Sequence, residues 1–184
     1  MGKHIITIAG IPGSGKSSAA AGVASTLGFE HFSSGDLFRK MAAERGISIE
    51  AMNLVAEQQQ EIDRSVDDLL LTMGKEKDNF VIDSRTAFHW IPDSFKVFLK
   101  LDPIIAAQRT FLHIQEEGRV SQSGSSLDQV LENTLRRTES EKKRFHDLYH
   151  IDFTDVNNYD LIVDTGINDL EKVIDIIVRA YHAH

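Results

Sequence analysis

Gly10-Ile11-Pro12-Gly13-Ser14-Gly15-Lys16-Ser17-Ser18 lies between an apolar run, Ile5-Ile6-Thr7-Ile8-Ala9, and an alanine-rich run of helical character. Through Ser17 the stretch matches the phosphate-binding loop pattern in full, and a strand before it with a helix after it is the context that pattern needs. Glycines let consecutive backbone N–H groups turn inward around a β-phosphate, and the following helix presents its positive end. Lys16 is then placed to reach the β- and γ-phosphates and Ser17 to ligate magnesium. Residues Gly10 through Ser18 are therefore expected to hold a nucleoside triphosphate with Mg2+.

Outward from the loop, β-type runs alternate with helix-type stretches, the pattern of a parallel sheet covered by helices on both faces. Strands are predicted over 5–9, 29–32, 80–83, 96–101 and 160–164, giving an α/β fold with a five-stranded parallel sheet. Leu170, Val173, Ile174, Ile177 and Tyr181 recur at helical spacing, with Asn168 and Glu171 as a capping box ahead of them. The polar, serine- and glycine-rich residues 118–126 read as a mobile surface loop, and Ser126 with Gln129 as the cap of the long helix that follows. A chain of 184 residues with 3 prolines and no repeat reads as one domain, 1–184.

Composition narrows the chemistry. The chain has no cysteine, which removes disulfides, thiolate zinc sites and cysteine nucleophiles. A formal net charge of −8 opposes non-specific attraction to nucleic acid or an anionic membrane, so a bound phosphate must be held by a local cationic cluster. Small-molecule partners are expected, with neither nucleic acid nor membrane. No apolar stretch approaches a membrane span, and Met1-Gly2-Lys3-His4 leads into the first strand with no cleavage-type site; a cytoplasmic monomer is expected.

The fate of the γ-phosphate is a separate question, because switch GTPases, motor ATPases and small-molecule kinases share the loop. No Asn-Lys-x-Asp segment is present to read guanine, nor an Asp-x-x-Gly switch after the third strand. That strand instead ends Phe80-Val81-Ile82-Asp83-Ser84-Arg85, which sets a carboxylate at the edge where open α/β sheets hold ligands. Asp83 is a candidate to hold a magnesium-bound water. On a helix, Arg137, Glu141 and Arg144 share one face, two guanidinium groups with a carboxylate to orient them, an arrangement suited to phosphate.

Ser34-Gly35-Asp36-Leu37-Phe38-Arg39 after the second strand, Asp83-Ser84-Arg85 after the third and Arg137-Thr138-Glu139-Ser140-Glu141-Lys142-Lys143-Arg144 before the fifth resemble cytidylate kinases. The similarity is greatest to the short type best known from archaea and covers nearly the whole chain. The resemblance implies the three-layer nucleoside monophosphate kinase fold, with a monophosphate-binding insert at about 34–75 and a lid at about 110–144. It implies that Ser34, Arg39 and Arg85 hold the acceptor phosphate, and that Arg137 and Arg144 bridge acceptor and transferring groups. Glu141 would touch the acceptor ribose or orient those arginines, and Arg109 would lie on the donor side. Three places depart from the family pattern: Ser84 stands where relatives usually have glycine, Glu141 where the long bacterial type has aspartate, and the loop reads Gly15-Lys16-Ser17 where archaeal relatives often carry threonine near the lysine.

The expected reaction is ATP-dependent phosphorylation of CMP or dCMP, with another small acceptor, or a nucleotide sensor without turnover, as alternatives. An acceptor phosphate is already ionised at neutral pH, so positioning and charge neutralisation carry the catalysis and no general base is needed. Asp63 and Asp67, one helical turn apart within the insert, are candidates to read a base amino group or form a solvated acidic face. Of the 8 histidines, His146 and His150 alone have ligand-like spacing, and no third ligand follows them.

Overall fold

The computed structural model describes residues 3–116 and 126–184. In chain order the elements are β1 (Ile5–Gly10), α1 (Lys16–Leu27), β2 (Glu30–Ser33), α2 (Ser34–Glu44), α3 (Ile49–Gln58), α4 (Gln60–Glu76) and β3 (Phe80–Asp83). They continue with α5 (Ala87–Trp90), β4 (Phe95–Lys100), α6 (Pro103–Glu116), α7 (Leu127–Tyr149), β5 (Leu161–Asp164) and α8 (Leu170–Ala183).

The five strands form one sheet in the order β2-β3-β1-β4-β5, every pairing parallel. β1 is central and every residue of it is buried, which is why its sequence is an unbroken apolar run and not an alternating one. On one face Ile6, Ile8, Val97, Leu99 and Val163 pack against Ala20 and Val23 of α1 and Val173 and Ile177 of α8. Gly22 lets α8 come this close, since a Cβ there would meet Ile174 Cδ1 at 2.2 Å. On the other face Ile5, Phe80 and Ile82 pack against Val66, Leu70 and Met73 of α4. The helices α2, α3 and α4 connect β2 to β3, and α6 and α7 stand between β4 and β5.

All five strands stand where the periodicity puts them, with ends that differ by one residue at β1, β2, β4 and β5. The cap of α8 differs too. Asp169, and not Asn168, accepts from a helix N–H, that of Lys172 at 2.8 Å, while Asn168 Nδ2 donates back to Asp164 O at 2.8 Å. An aspartate in extended backbone one residue nearer the helix is the better cap, and Asn168 closes the turn after β5 instead. Ser126 does cap α7, its Oγ accepting from Gln129 N at 3.3 Å. The rest of the polar stretch read as a mobile loop lies outside the described residues.

The consequence for function is register. Asp83 pairs with Ile8 on one side and with Ser33 on the other, and Gly10 pairs with Leu99. The carboxyl ends of four strands therefore open on one edge, with the loop after β1 in the middle.

Candidate active site

The phosphate loop is shaped by backbone. Gly13 and Gly15 adopt φ of 79° and 83°, a region that favours glycine. Gly13 has a second constraint, for a Cβ there would meet Ala106 O of α6 at 2.7 Å. Ser14 is buried, its N–H donating to Ile11 O at 3.2 Å, and the first turn of α1 begins at Lys16. Lys16 Nζ donates to Ile11 O at 2.8 Å, across the mouth of its own loop. Burial, then the charge of Arg85, pull the Lys16 pKa well below its ordinary value against the opposite pull of Glu141 and Asp83. An anion in the loop would relieve both effects.

Ser17 and Asp83 meet directly, Ser17 Oγ donating to Asp83 Oδ2 at 2.9 Å. Asp83 also accepts from Ser33 Oγ at 3.0 Å and from His31 Nε2 at 2.9 Å, and its backbone carbonyl from Ser34 Oγ at 3.2 Å. His31 and Ser33 were not among the residues read as functional. They alternate along β2, so both reach the same side of the sheet; the strand order that sets β2 beside β3 is what the sequence does not announce.

Facing the loop is a wall of charge. Glu141 is 3 % exposed and lies between two arginines. Its Oε1 accepts from Arg137 Nε at 2.9 Å, and its Oε2 stands 2.5 Å from Arg85 Nε, a charge contact whose angle does not make it a hydrogen bond. Burial pushes the Glu141 carboxyl up, but Arg85 and Arg137 together outweigh it and hold the group below its ordinary value. Burial lowers the Arg85 pKa to about 10, which leaves it charged at neutral pH. Of the two duties open to Glu141, orienting the arginines is the one its contacts display.

Arg144, the third member of the face, lines one recess with Arg85, Arg137 and Glu141 and is anchored to α4. Its Nε donates to Asp63 Oδ2 at 2.9 Å and its Nη1 to Ser140 Oγ at 2.9 Å, and Ser140 in turn donates to Glu57 Oε1 at 2.6 Å. One turn along α4, Asp67 accepts from Thr86 Oγ1 at 2.8 Å and from Tyr149 Oη at 2.5 Å. Asp63 and Asp67 are 5 % and 4 % exposed, so they form no solvated acidic face. Burial raises the pKa of each, opposed by Arg144 at Asp63 and by the two hydroxyls at Asp67. Thr86 and Tyr149 escaped the sequence reading because their roles depend on contacts 19 and 82 positions away in the chain.

Arg39 and Arg109 complete the set. Arg39 is half exposed and pairs with Asp36, one turn back on α2. Arg109 Nη2 donates to Thr165 O at 2.7 Å, tying α6 to the end of β5. A cleft of about 570 Å³ joins these pieces, lined among others by Lys16, Ser17, Arg39, Asp83, Arg85 and Arg137, with Arg109 at its side. A smaller recess continues from it past Ser34 and Ser84 to Asp63 and Arg144. In a chain of net charge −8 the cleft is cationic, the local cluster that a bound phosphate requires. His146 and His150 lie far along α7 with ring centroids 6.0 Å apart, and the described residues contain no group of three or more His, Cys, Asp or Glu able to hold a metal.

A phosphate loop at the carboxyl edge of a five-stranded parallel sheet, faced by arginines, is the site of a phosphate-loop kinase. A family model described as an AAA domain matches residues 9–142. The fold is that of the shikimate kinase from Bacteroides thetaiotaomicron, with a TM-score of 0.68 at 12% identity over 97% of this chain and 98% of that one. Closer in sequence are the cytidylate kinases of Methanothrix thermoacetophila, 36% identical over 97% of this chain and 98% of the relative, and Archaeoglobus fulgidus, 35% identical over 95% and 93%. The chain belongs to the cytidylate kinase family, and it is an enzyme of phosphoryl transfer.

Proposed function

We propose that this enzyme transfers the γ-phosphoryl group of ATP to CMP or dCMP, and that the cleft holds both anions at once. The observation that carries the reading is the union of the phosphate loop with Arg39, Arg85 and Arg137 in one cleft. A protein that only bound a triphosphate would not need that many donors aimed at a second anion. The preference for cytosine is supported by the relatives named cytidylate kinase.

In this reading Gly10 through Ser18 cradle the donor phosphates and Lys16 leaves Ile11 O for the β- and γ-oxygens. Arg109 lies on the donor side beside Thr165. Ser34, Arg39 and Arg85 hold the acceptor phosphate, Arg137 spans the two anions, and Glu141 keeps both guanidinium planes aimed. Arg144 shapes the acceptor recess through Asp63. Asp67 is occupied by two hydroxyls, so Asp63, engaged through Oδ2, is the carboxylate left to meet a base amino group. The helices α2 to α4 serve as the monophosphate insert and α6 with α7 as the lid.

The residues present fit magnesium. Ser17 and Asp83 are hard oxygen donors in contact with each other at the head of α1, with Asp83 buried and aimed by further donors. Ser17 would hold the ion directly and Asp83 through water. When bound, the ion neutralises charge on the transferring phosphoryl group. The protein's own share is orientation: acceptor oxygen, phosphorus and leaving oxygen in line, with arginines over the equatorial charge.

A monomer acting in the cytoplasm is part of the same reading. No helix among the described residues is long and apolar enough to cross a membrane. The test is a matrix of nucleoside monophosphates against triphosphate donors, read as ADP or other diphosphate formed. CMP or dCMP with ATP should give the highest kcat/KM. A better rate with AMP would overturn the base assignment and leave the kinase; turnover of no monophosphate would overturn both.

A further inference from the structure

Asp83 is gripped from the side of the sheet as well as by Ser17. β2 pairs with β3 so that Ser33 stands beside Asp83, and the pleat places His31 on the same side, two residues back. His31 Nε2 lies 2.9 Å from Asp83 Oδ1, with side-chain exposures of 27% and 4%. An ionised carboxylate only accepts, so Nε2 carries a hydrogen whichever charge state the ring adopts. Ser33 Oγ donates to the other oxygen, which also accepts from Ser17.

We propose that His31 is a positioning residue for phosphoryl transfer: its Nε2–H pins Asp83 Oδ1, so that Oδ2 stays on Ser17 and the two metal-side oxygens are set before the nucleotide arrives. The inference rests on the reading of Ser17 and Asp83 as the magnesium side. A freely rotating Asp83 would have to be ordered at each binding event, and a donor on its second oxygen removes that cost. Partners that orient a metal's direct ligands are worth about 10- to 100-fold in metal affinity; Asp83, holding the ion through water, is itself such a group, so the share of His31 lies at the low end of that range.

Ser33 adds a link to the acceptor side. The same Oγ that donates to Asp83 accepts from Asp36 N at 3.3 Å and so caps α2, the helix that carries Arg39. The hydrogen bond of His31 goes to the metal-side carboxylate, whereas Ser33 also caps the helix of the acceptor side, and the two therefore leave different kinetic signatures.

The experiment uses the full chain with a non-hydrolysable ATP analogue and titrates Mn2+ by electron paramagnetic resonance, so that binding is read without turnover. His31→Leu is a suitable removal because the ring lines an apolar hollow with Leu69 and Met73. It should raise the Mn2+ dissociation constant about 10-fold and lower kcat with the acceptor KM unchanged. His31→Gln, which keeps an N–H donor of similar reach, should recover most of the affinity. Ser33→Ala should raise both the Mn2+ constant and the acceptor KM. Asp83→Asn is the reference: if it leaves Mn2+ binding unchanged, the metal reading falls and this inference with it. If Asp83→Asn weakens binding while a folded His31→Leu does not, the role of His31 alone is overturned. Failure of His31→Gln to recover affinity overturns it as well, since ring packing and not the N–H would then be responsible. Should His31→Leu melt below the assay temperature, His31→Ala takes its place in the same titration.

Discussion

The phosphate loop and the arginine wall opposite it are both built to face an anion, and they are made differently. In the loop, positive-φ turns at Gly13 and Gly15 and the first turn of α1 do the shaping within one short stretch, and the side chains add Lys16 and Ser17. In the wall, Arg85 from the end of β3 is held against Glu141 and Arg137 of α7, and α7 is itself held to α4 through Arg144 and Asp63, 81 positions apart. A backbone site is rigid as soon as its turn forms. A side-chain wall has its geometry only while a carboxylate buried among several arginines keeps them apart and aimed, and breaking such a group is costly because a buried charge is left without its partner. The two regions should therefore fail differently when cut.

The largest effect is expected in the loop. Lys16→Ala should lower kcat by at least ~10²-fold, the value of one preorganised donor to developing phosphoryl charge, with the melting temperature close to that of the unaltered protein. Lys16 Nζ donates to a carbonyl of its own loop, Ile11 O, so little of the fold depends on it. Steady-state kinetics beside a thermal melt checks both halves. A folded variant with near-normal turnover would remove the loop as the donor site.

The same contrast explains what could be read from the sequence. The loop is legible because everything it needs is contiguous: glycines where φ must be positive, a lysine, a serine, a strand before and a helix after. The alternation of apolar runs gave the strands within a residue, since β1 and β3 are buried on both faces and carry no competing signal. The face of Arg137, Glu141 and Arg144 was legible as a face, but not that Arg144 would pair with Asp63, because helical periodicity says nothing about which neighbouring helix waits there. His31, Thr86 and Tyr149 were invisible for a related reason. Each is an ordinary residue until strand order or helix packing brings a buried carboxylate to it.

Next in size is the wall. Glu141→Gln should destabilise by about 3 kcal/mol, the low end for a broken buried pair because Arg137 is 31% exposed. It should also raise the acceptor KM as Arg85 and Arg137 lose their common anchor. Nucleoside monophosphate at a fixed concentration should accordingly stabilise this variant less than the parent, since the stabilisation a ligand gives falls with its affinity. Glu141 is held below its ordinary pKa, so its contribution is complete above the unfolded value near about 4.3 and is lost as pH falls through the lower folded one. The variant should therefore lose less stability than the parent on acidification through that window. Equal acid sensitivity in a melt series would show that the arginines do not depend on Glu141.

Arg39→Ala separates acceptor binding from wall stability. Its side chain is 51% exposed and pairs with Asp36, an exposed contact that contributes little to stability. The acceptor KM should rise by about 10-fold, as for loss of one charge-assisted bond, with ATP binding to the free enzyme and the melting temperature unchanged. Equal weakening of ATP and acceptor, measured by calorimetry, would move Arg39 to the donor side.

The smallest effect concerns Asp67, where the wall meets α4, and its sign is opposite to that at Glu141. Burial raises the Asp67 pKa, while the hydroxyls of Tyr149 and Thr86 pull it back only in part. Between the unfolded value and the raised folded one the native state holds the extra proton, so stability declines as pH rises through that window and is level above it. Asp67→Asn has no proton to hold. Its carbonyl can still accept from one of the two hydroxyls, so at neutral pH the loss should stay within about 1 kcal/mol, the net worth of one hydrogen bond. Measured as melting temperature from pH 4 to 7, the variant should show a shallower decline than the parent; Asp63, whose carboxyl is raised for the same reason, keeps a contribution of the same sign in both. An unchanged slope would mean that Asp67 is paid no penalty for its charge, and that its two hydroxyl partners solvate it as fully as water does.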